Sequence, residues 1–403
     1  MVSLGSTWPS MTFESVMWDV HPDSGRSRAD VRRLGTPYRA AVTPDIADLE
    51  VRVSSQVAAE AEEAAMELRA FDAEMGAAVA PFALVLLRSE SAASSQIENL
   101  SASARAIAEA EINGSGSEHA ELIVANVRAM TAALSLAERL DEDAVLAMHA
   151  ALMSASDADI AGRWRTDQVW IGGRAFFGPG SPHDATFVPP VAERVPAAMA
   201  DLMRFARRID LPVVPQVAIL HAQFETIHPF VDGNGRTGRA LMHAALRGTG
   251  VTRHISVPIS TGLLTDTPGY FRALTDYRDG DIDAIVSCVA RAALIGVANG
   301  RGLVAELREV RVRWEDSLSG LRSDSAARRL ADGLLRHPVI DARLAREILG
   351  IRRNEHRHID ALVERSILVG HTDHKTRNRT WRAPEVLGAL DRYAARSGRR
   401  SLP

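Results

Sequence analysis

The chain has 403 residues, of which 46% are hydrophobic and 24% charged, and a formal net charge of −4. That length supports two or three domains with sizeable cores, and the balance excludes a disordered or fibrous chain. A slightly acidic protein exerts no global pull on nucleic acid, so any basic surface must be local.

Positive charge is almost entirely arginine, with Lys375 the single lysine. The single cysteine, Cys288, excludes an internal disulfide and an all-cysteine zinc site. It lies in the apolar run Ala284-Ile-Val-Ser-Cys-Val-Ala and reads as a small core residue. The first residues lack the basic-then-apolar pattern of a signal peptide. No window reaches the ~18 uninterrupted apolar residues of a membrane span. A cytoplasmic protein with no membrane partner is expected.

Residues 1–43 show no period and are expected to form a leader draped over the body. From Pro44, residues Ile46, Leu49, Val53, Val57, Ala61, Ala64, Leu68 and Phe71 recur at three- and four-residue steps, which predicts a helix that Pro81 ends. A second apolar helix is predicted over 82–100, turning polar at Ser89-Glu-Ser. Gly114-Ser-Gly-Ser reads as a loop, and 118–152 as two helices separated near Asp141. Val169-Trp-Ile-Gly-Gly and Ala185-Thr-Phe-Val-Pro-Pro predict two short strands around the turn-rich Gly178-Pro-Gly-Ser-Pro. Helical pattern runs from Val191 to about Gly300, and 301–322 reads as a charged helix linking two domains.

The chemistry concentrates in His228-Pro-Phe-Val-Asp-Gly-Asn-Gly-Arg-Thr-Gly-Arg239. Residues 216–227 are helical, and the residue before a proline leaves the helical region, so His228 is expected at a helix exit. Phe230 and Val231 are expected to anchor the loop. Gly233-Asn-Gly permits tight, left-handed backbone before a second helix. A helix N-terminus behind glycines offers unpaired amides and a positive dipole end, which suits phosphate. Arg236 and Arg239, three apart, add charged donors. Asp232 supplies a hard oxygen for Mg²⁺, and His228 titrates near neutrality as a general base needs to. The same glycines match G-x-G-x-x-G, but they follow a helix rather than a strand, so a dinucleotide fingerprint is rejected.

This segment resembles the Fic signature, H-x-F-x-(D/E)-G-N-G-R-x-x-R, at every specified position. Gly162-Arg-Trp-Arg165, Val169-Trp-Ile-Gly and Phe187-Val-Pro-Pro190 are similar to the family's β-hairpin flap. Tyr270-Phe-Arg-Ala-Leu and Arg278-Asp-Gly-Asp281 resemble its downstream block. The resemblance, covering residues 45–300, implies a mainly α fold: a helical core with a β-hairpin flap. It implies an enzyme that moves AMP from ATP to a hydroxyl of a target protein, and of itself, releasing pyrophosphate with Mg²⁺ as cofactor. By position, His228 deprotonates the hydroxyl and Asp232 binds Mg²⁺. Gly233, Asn234, Gly235, Arg236, Thr237, Gly238 and Arg239 bind the phosphates, and Tyr270 and Arg278 line the nucleotide. Phe187, Val188 and Pro189 dock the target as an added strand. The alternatives are a variant that removes AMP or transfers another phosphate-containing group, and a nucleotide-sensing, DNA-binding regulator acting through a C-terminal winged helix.

Ser94-Ser-Gln-Ile-Glu98-Asn99 resembles the family's inhibitory motif, (S/T)-x-x-x-E-(G/N). That resemblance implies that Glu98 competes with the γ-phosphate for Arg239, since one guanidinium fork cannot grip both. At the C-terminus, a capped helix from Asp341 to Gly350, a second helix from Asn354 and a hairpin resemble a winged helix (α+β). Arg352, Arg353, Arg357, Lys375, Arg377, Arg379 and Arg382 gather there, yet Glu355, Asp360 and Glu364 lie on the second helix. Docking of a protein partner is therefore expected over DNA binding. The expected organisation is 1–115 leader and inhibitory region, 116–300 catalytic core, 301–325 linker helix and 326–403 winged-helix-like domain. A homodimer is compatible with the sequence.

Overall fold

The computed structural model describes residues 8–18, 35–77, 81–172, 181–372 and 379–396. Most of the flap tip, 173–180, and Lys375 and Arg377 of the expected wing lie outside them. Strands β1 (Thr12–Met17) and β2 (Pro37–Val42) come first. Helices α1 (Ser55–Ala77), α2 (Pro81–Ile97), α3 (Ala104–Asn113), α4 (Glu118–Ser135) and α5 (Glu142–Met153) follow. Next come α6 (Val195–Ala206), α7 (Val213–Ile227), α8 (Asn234–Gly248), α9 (Ile259–Thr265), α10 (Thr267–Arg278) and α11 (Ile282–Ser317). The chain closes with α12 (Ala326–Leu334), β3 (Val339–Asp341), α13 (Ala342–Leu349), α14 (Glu355–Val363), β4 (Val369–Thr372), β5 (Arg379–Arg382) and α15 (Pro384–Arg396). The fold is mainly α, as the sequence implies.

The chain packs as two compact units, each assembled from three stretches. The first holds 1–62, 132–248 and 268–288; the second holds 63–131, 249–267 and 289–403. The expected cut at 300/301 falls inside α11, which runs unbroken from Ile282 to Ser317. The charged segment is therefore the second half of one helix rather than a separate linker. Interruptions such as Arg291 and Asn299 hide how apolar α11 is. Its best 18-residue window has a mean hydropathy of 1.6, enough by length and composition to cross a membrane, and half of that window is buried inside the protein.

In the first unit, the expected leader is in fact an antiparallel pair, registered from Thr12 opposite Val42 to Met17 opposite Pro37. Tyr38 packs edge-on to Trp18 (6.1 Å between centroids), which also meets Trp170 edge-on at 5.3 Å. The helix expected from Pro44 starts only at Ser55. The backbone before it is held otherwise: the Asp201 carboxylate accepts the N–H groups of Ile46 (2.6 Å) and Ala47 (3.3 Å). Every α7 residue from Val214 to Ile227 is buried, as a helix packed on all sides must be. Helices α6 and α8 pack on α7, and α5 packs on α8.

In the second unit, buried carboxylates from α1 and α2 tie down the 249–267 segment. Asp72 accepts the amides of His254 (2.8 Å) and Ile255 (3.0 Å); Glu90 accepts the Ser260 amide (2.9 Å) and hydroxyl (2.5 Å). Arg301 of α11 bridges Glu67 and Glu74 of α1, both at 2.7 Å. C-terminal to this lies the helix–turn–helix and hairpin read from the sequence, with one unexpected strand. Three-residue β3 pairs with β5, giving an antiparallel sheet of order β3-β5-β4. Asp341 ends β3 and caps α13, accepting the Leu344 amide at 2.7 Å, while Gly350 (φ 66°) closes that helix.

Candidate active site

The site grows from the junction of α7 and α8. Helix α7 ends where His228 takes a left-handed conformation (φ 50°, ψ 62°), its amide still bonded to the Phe224 carbonyl at 2.9 Å. A non-glycine residue there costs of order 1 kcal/mol, so the surroundings must hold it. They do. Arg165, only 3% exposed, donates from Nε to the His228 carbonyl (2.9 Å) and also reaches the carbonyls of Ile227, Asp167 and Pro190. Its own amide donates to the Pro229 carbonyl at 3.0 Å. Burial brings the Arg165 pKa down to about 10, and the group stays charged.

Beyond Pro229 the loop is pinned from inside. Phe230 is fully buried, its ring parallel to the His149 imidazole at 3.7 Å, with Trp164 at 5.0 Å. Val231, expected beside it in the core, is 49% exposed, because the loop turns outward after Phe230. The Asn234 side chain reaches back to Phe230: Oδ1 accepts its amide and Nδ2 donates to its carbonyl, both at 2.9 Å. Asn234 was expected to hold phosphate; its carboxamide is committed to closing the loop, which leaves only its backbone amide for a ligand. Gly233 (φ 76°) passes so close to α5 that a Cβ would lie 3.0 Å from Leu152 Cδ2.

Helix α8 has its first i→i−4 bond from Thr237 to Gly233 (3.0 Å), so the amides of Asn234, Gly235 and Arg236 form the open N-terminal turn. Arg236 is 5% exposed with one nitrogen 3.6 Å from Asp232 Oδ2, and Arg239 is 2% exposed. Thr237 and Gly238, expected at the phosphates, face inward instead. A Cβ on Gly238 would sit 2.8 Å from Glu225 Oε1 and 2.9 Å from Phe224 Cδ1, so this glycine sets the approach of α7 and α8.

His228 keeps 19% of its side chain exposed, with Nδ1 4.0 Å from the buried Glu225 carboxylate. Asp232 keeps 66% of its side chain exposed while Oδ1 accepts the Gly233 amide (2.7 Å). Among the described residues no cluster of three or more His, Cys, Asp or Glu could hold a metal. One exposed carboxylate beside a helix N-terminus does fit Mg²⁺ when phosphate oxygens and water complete the shell.

One residue that holds the loop escaped sequence reasoning. His149 on α5 is fully buried and bonded at both nitrogens. Its Nδ1 accepts the Gly162 amide (3.0 Å), which leaves the proton on Nε2 to donate to the Asp232 carbonyl (3.0 Å). Burial lowers its pKa to about 4, so it stays neutral and keeps that tautomer. Only its partners, invisible in sequence, distinguish it from a core histidine.

The remaining expected residues lie in and around this unit as follows. Tyr270 does not line an open site: it is 1% exposed, and its hydroxyl lies 2.7 Å from His221 Nε2. Arg278 is half-buried, its guanidinium 3.8 Å from the Phe187 ring centre and its Nε 3.4 Å from the Thr226 hydroxyl; desolvation lowers its pKa to about 10. Among the described residues the flap strands form a single bridge, Ile171 to Phe187. Phe187 and Val188 are buried: the Arg278 guanidinium lies over the Phe187 ring, and Val188 packs on Tyr38 and Ala40 of β2, with Ala41 donating to its carbonyl at 3.0 Å. The Pro189 carbonyl accepts from Gln168 at 3.0 Å. In the second unit, Ser94 is buried on α2, whereas Glu98 and Asn99 (φ 61°) are exposed just beyond its end.

Known proteins share this region. Residues 139–246 match the Fic/DOC family model. Protein adenylyltransferase fic-1 of Caenorhabditis elegans is 29% identical over 157 residues, 38% of this chain and 27% of the relative. Protein adenylyltransferase Fic of Drosophila melanogaster is 30% identical over 183 residues, 43% of this chain and 32% of the relative. The chain thus spans about a quarter to a third of the curated relatives it matches. A Fic family protein from Desulfovibrio desulfuricans G20 shares the fold, with a TM-score of 0.51 at 20% identity, covering 85% of this chain and 98% of that one. With the signature segment folded as a pinned loop opening onto a helix N-terminus, residues 139–246 are a Fic/DOC family domain.

Proposed function

We propose that this chain transfers AMP from ATP to a side-chain hydroxyl of a protein, itself included. The observation that carries the reading is the α7–α8 junction. It sets His228, 19% exposed, and Asp232, 66% exposed, on the loop that leads into the N-terminal turn of α8 at Asn234, Gly235 and Arg236. The names of the matched relatives, protein adenylyltransferases, support the same reaction.

In this reading the amides of α8 and the guanidinium groups of Arg236 and Arg239 hold the phosphate chain by charge and dipole. His228 takes the proton of the acceptor hydroxyl. The oxygen then bonds to the α-phosphorus as the bond to the bridging β-oxygen breaks, and pyrophosphate leaves. Asp232 would hold Mg²⁺, which neutralises phosphate charge. Positioning and charge neutralisation are what such transfer chiefly requires.

The finer proposal is a brake, supported by the motif Ser94-x-x-x-Glu98-Asn99: Glu98 competes with the γ-phosphate for Arg239. A cytoplasmic setting is part of the same proposal.

Incubation with α-labelled and γ-labelled ATP tests the reaction. Label retained on protein from the α position only, lost in His228→Ala, is the expected result. Transfer of the γ label would replace AMP transfer by phosphate transfer, and no transfer even in a Glu98→Gly protein would sink the reading.

A further inference from the structure

The turn between α13 and α14 carries charge that the transferase reading does not use. Arg346, Arg352, Arg353, Asn354, His356 and Arg357 line an open concavity of about 560 Å³. Arg352, Arg353 and Arg357 are exposed and make no ion pair among the described residues. Other basic residues among the described ones have partners of their own. Arg382 pairs with Glu109 at 2.6 Å, Arg343 with Glu347 at 2.9 Å, and Arg379 lies 5.0 Å from the Trp381 ring centre.

Glu355, counted in the sequence against nucleic acid, also lines the concavity, but little of its surface is open there. It is buried, 3.4 Å from His356 Nδ1 and 4.0 Å from Arg346. That leaves Asp360 and Glu364, both exposed, one and two turns beyond Arg357 on the same face of α14. The face is thus cationic at its N-terminal end, where the helix dipole adds to the arginines, and anionic further along. A polyanion can meet its start but not lie along it.

We propose that this concavity docks the phosphate backbone of duplex DNA without reading base sequence. Three free arginines and a helix N-terminus suit a fixed, dense line of phosphates. Asp360 and Glu364 hold the rest of the helix off the bases. A single-strand site needs aromatic platforms, and the lining offers only the imidazole of His356, held edge-on to Trp381 at 5.7 Å. A protein interface needs an apolar or aromatic centre, and no aliphatic side chain lines the concavity. The docking is independent of the transferase reading.

The test titrates the full-length protein into labelled 20-base-pair duplexes of unrelated sequence and follows anisotropy at several salt concentrations. Equal affinities across sequences are expected. The slope of log affinity against log salt should be about −3, one counterion set per free arginine. R352E/R353E/R357E, all at exposed positions, should weaken binding at least tenfold with unchanged circular dichroism. D360N/E364Q should tighten binding several-fold, a gain that misfolding cannot produce. Absence of binding at low salt, or binding unchanged in the triple variant, would overturn the proposal. So would competition by polyglutamate as effective as competition by duplex DNA at equal charge, which would assign the surface to an acidic protein.

Discussion

The imidazole of His149 lies flat on the ring of Phe230, 3.7 Å away and 5° from parallel, with one nitrogen on Gly162 and the other on Asp232. The stack fixes the ring plane, and the two bonds fix its rotation about that plane. His149→Phe keeps the stack and removes the partner of two part-buried backbone groups, costing up to about 1 kcal/mol for each. His149→Gln can keep a donor on the Asp232 carbonyl. Equilibrium denaturation and self-modification rates should therefore rank wild type, Gln, then Phe. If Phe matches wild type in both, His149 is only filler.

The Asp232 carboxylate is the ligand the motif offers Mg²⁺. Asp232→Ala should remove the magnesium-dependent part of nucleotide affinity while leaving the metal-free part. Calorimetric titrations that look alike with and without magnesium in both proteins would refute the assignment.

Gly238 marks how closely α7 and α8 approach. Gly238→Ala places a methyl group 2.8 Å from Glu225 Oε1, an overpacking cost of roughly 1–3 kcal/mol. Glu225 and Phe224 lie in the last turn before His228, so transfer should fall as well as stability. A thermal melt matching wild type would show that the helices separate without strain.

His221 adds an acid sensitivity. Burial, with a contribution from the charge of Arg239, lowers its pKa from 6.5 to about 3. A depressed histidine binds its proton more readily when unfolded, so its contribution is complete above pH 6.5 and is lost as pH falls toward 3. Between pH 7 and 5 this single group accounts for about 2 kcal/mol. His221→Gln should unfold with a visibly flatter pH dependence over that range; an unchanged slope would mean His221 is protonated in the native state.

Glu98→Gly should raise self-modification at least tenfold, since ~1.4 kcal/mol of lost competition gives one decade. The double variant with Arg239→Ala should fall back, because freeing an absent arginine gains nothing. Strong non-additivity across the four proteins is the expected signature of the brake; additive effects would remove it.

What could be read in advance was what is local in the chain. From His228 to Arg239 the proline, the glycines and the two arginines each act within a few residues, and the structure forms the helix exit and the new helix N-terminus there. The same holds for Asp341 and Gly350 at the ends of α13. Long-range partners were not legible. His149 acts on a carbonyl 83 residues away and Arg165 on one 63 away, and neither residue type announces such a contact. For Asn234 the sequence did not show that its carboxamide closes the loop onto Phe230, a bond pair that only the fold reveals. The β1–β2 pair was missed because a long connection replaces the short turn that marks a hairpin.

Arg165 gathers carbonyls from Asp167, Pro190, Ile227 and His228, while its amide takes the carbonyl of Pro229. One side chain thus ties both ends of the 167–190 segment to the exit of α7. None of these segments can peel away without orphaning a buried guanidinium, which is far costlier than losing an ordinary hydrogen bond. The flap base and the His228 turn therefore share one opening equilibrium. In hydrogen exchange, the amides of Arg165 and His228 should report a common protection factor, and the loop around the base should behave as a single cooperative foldon.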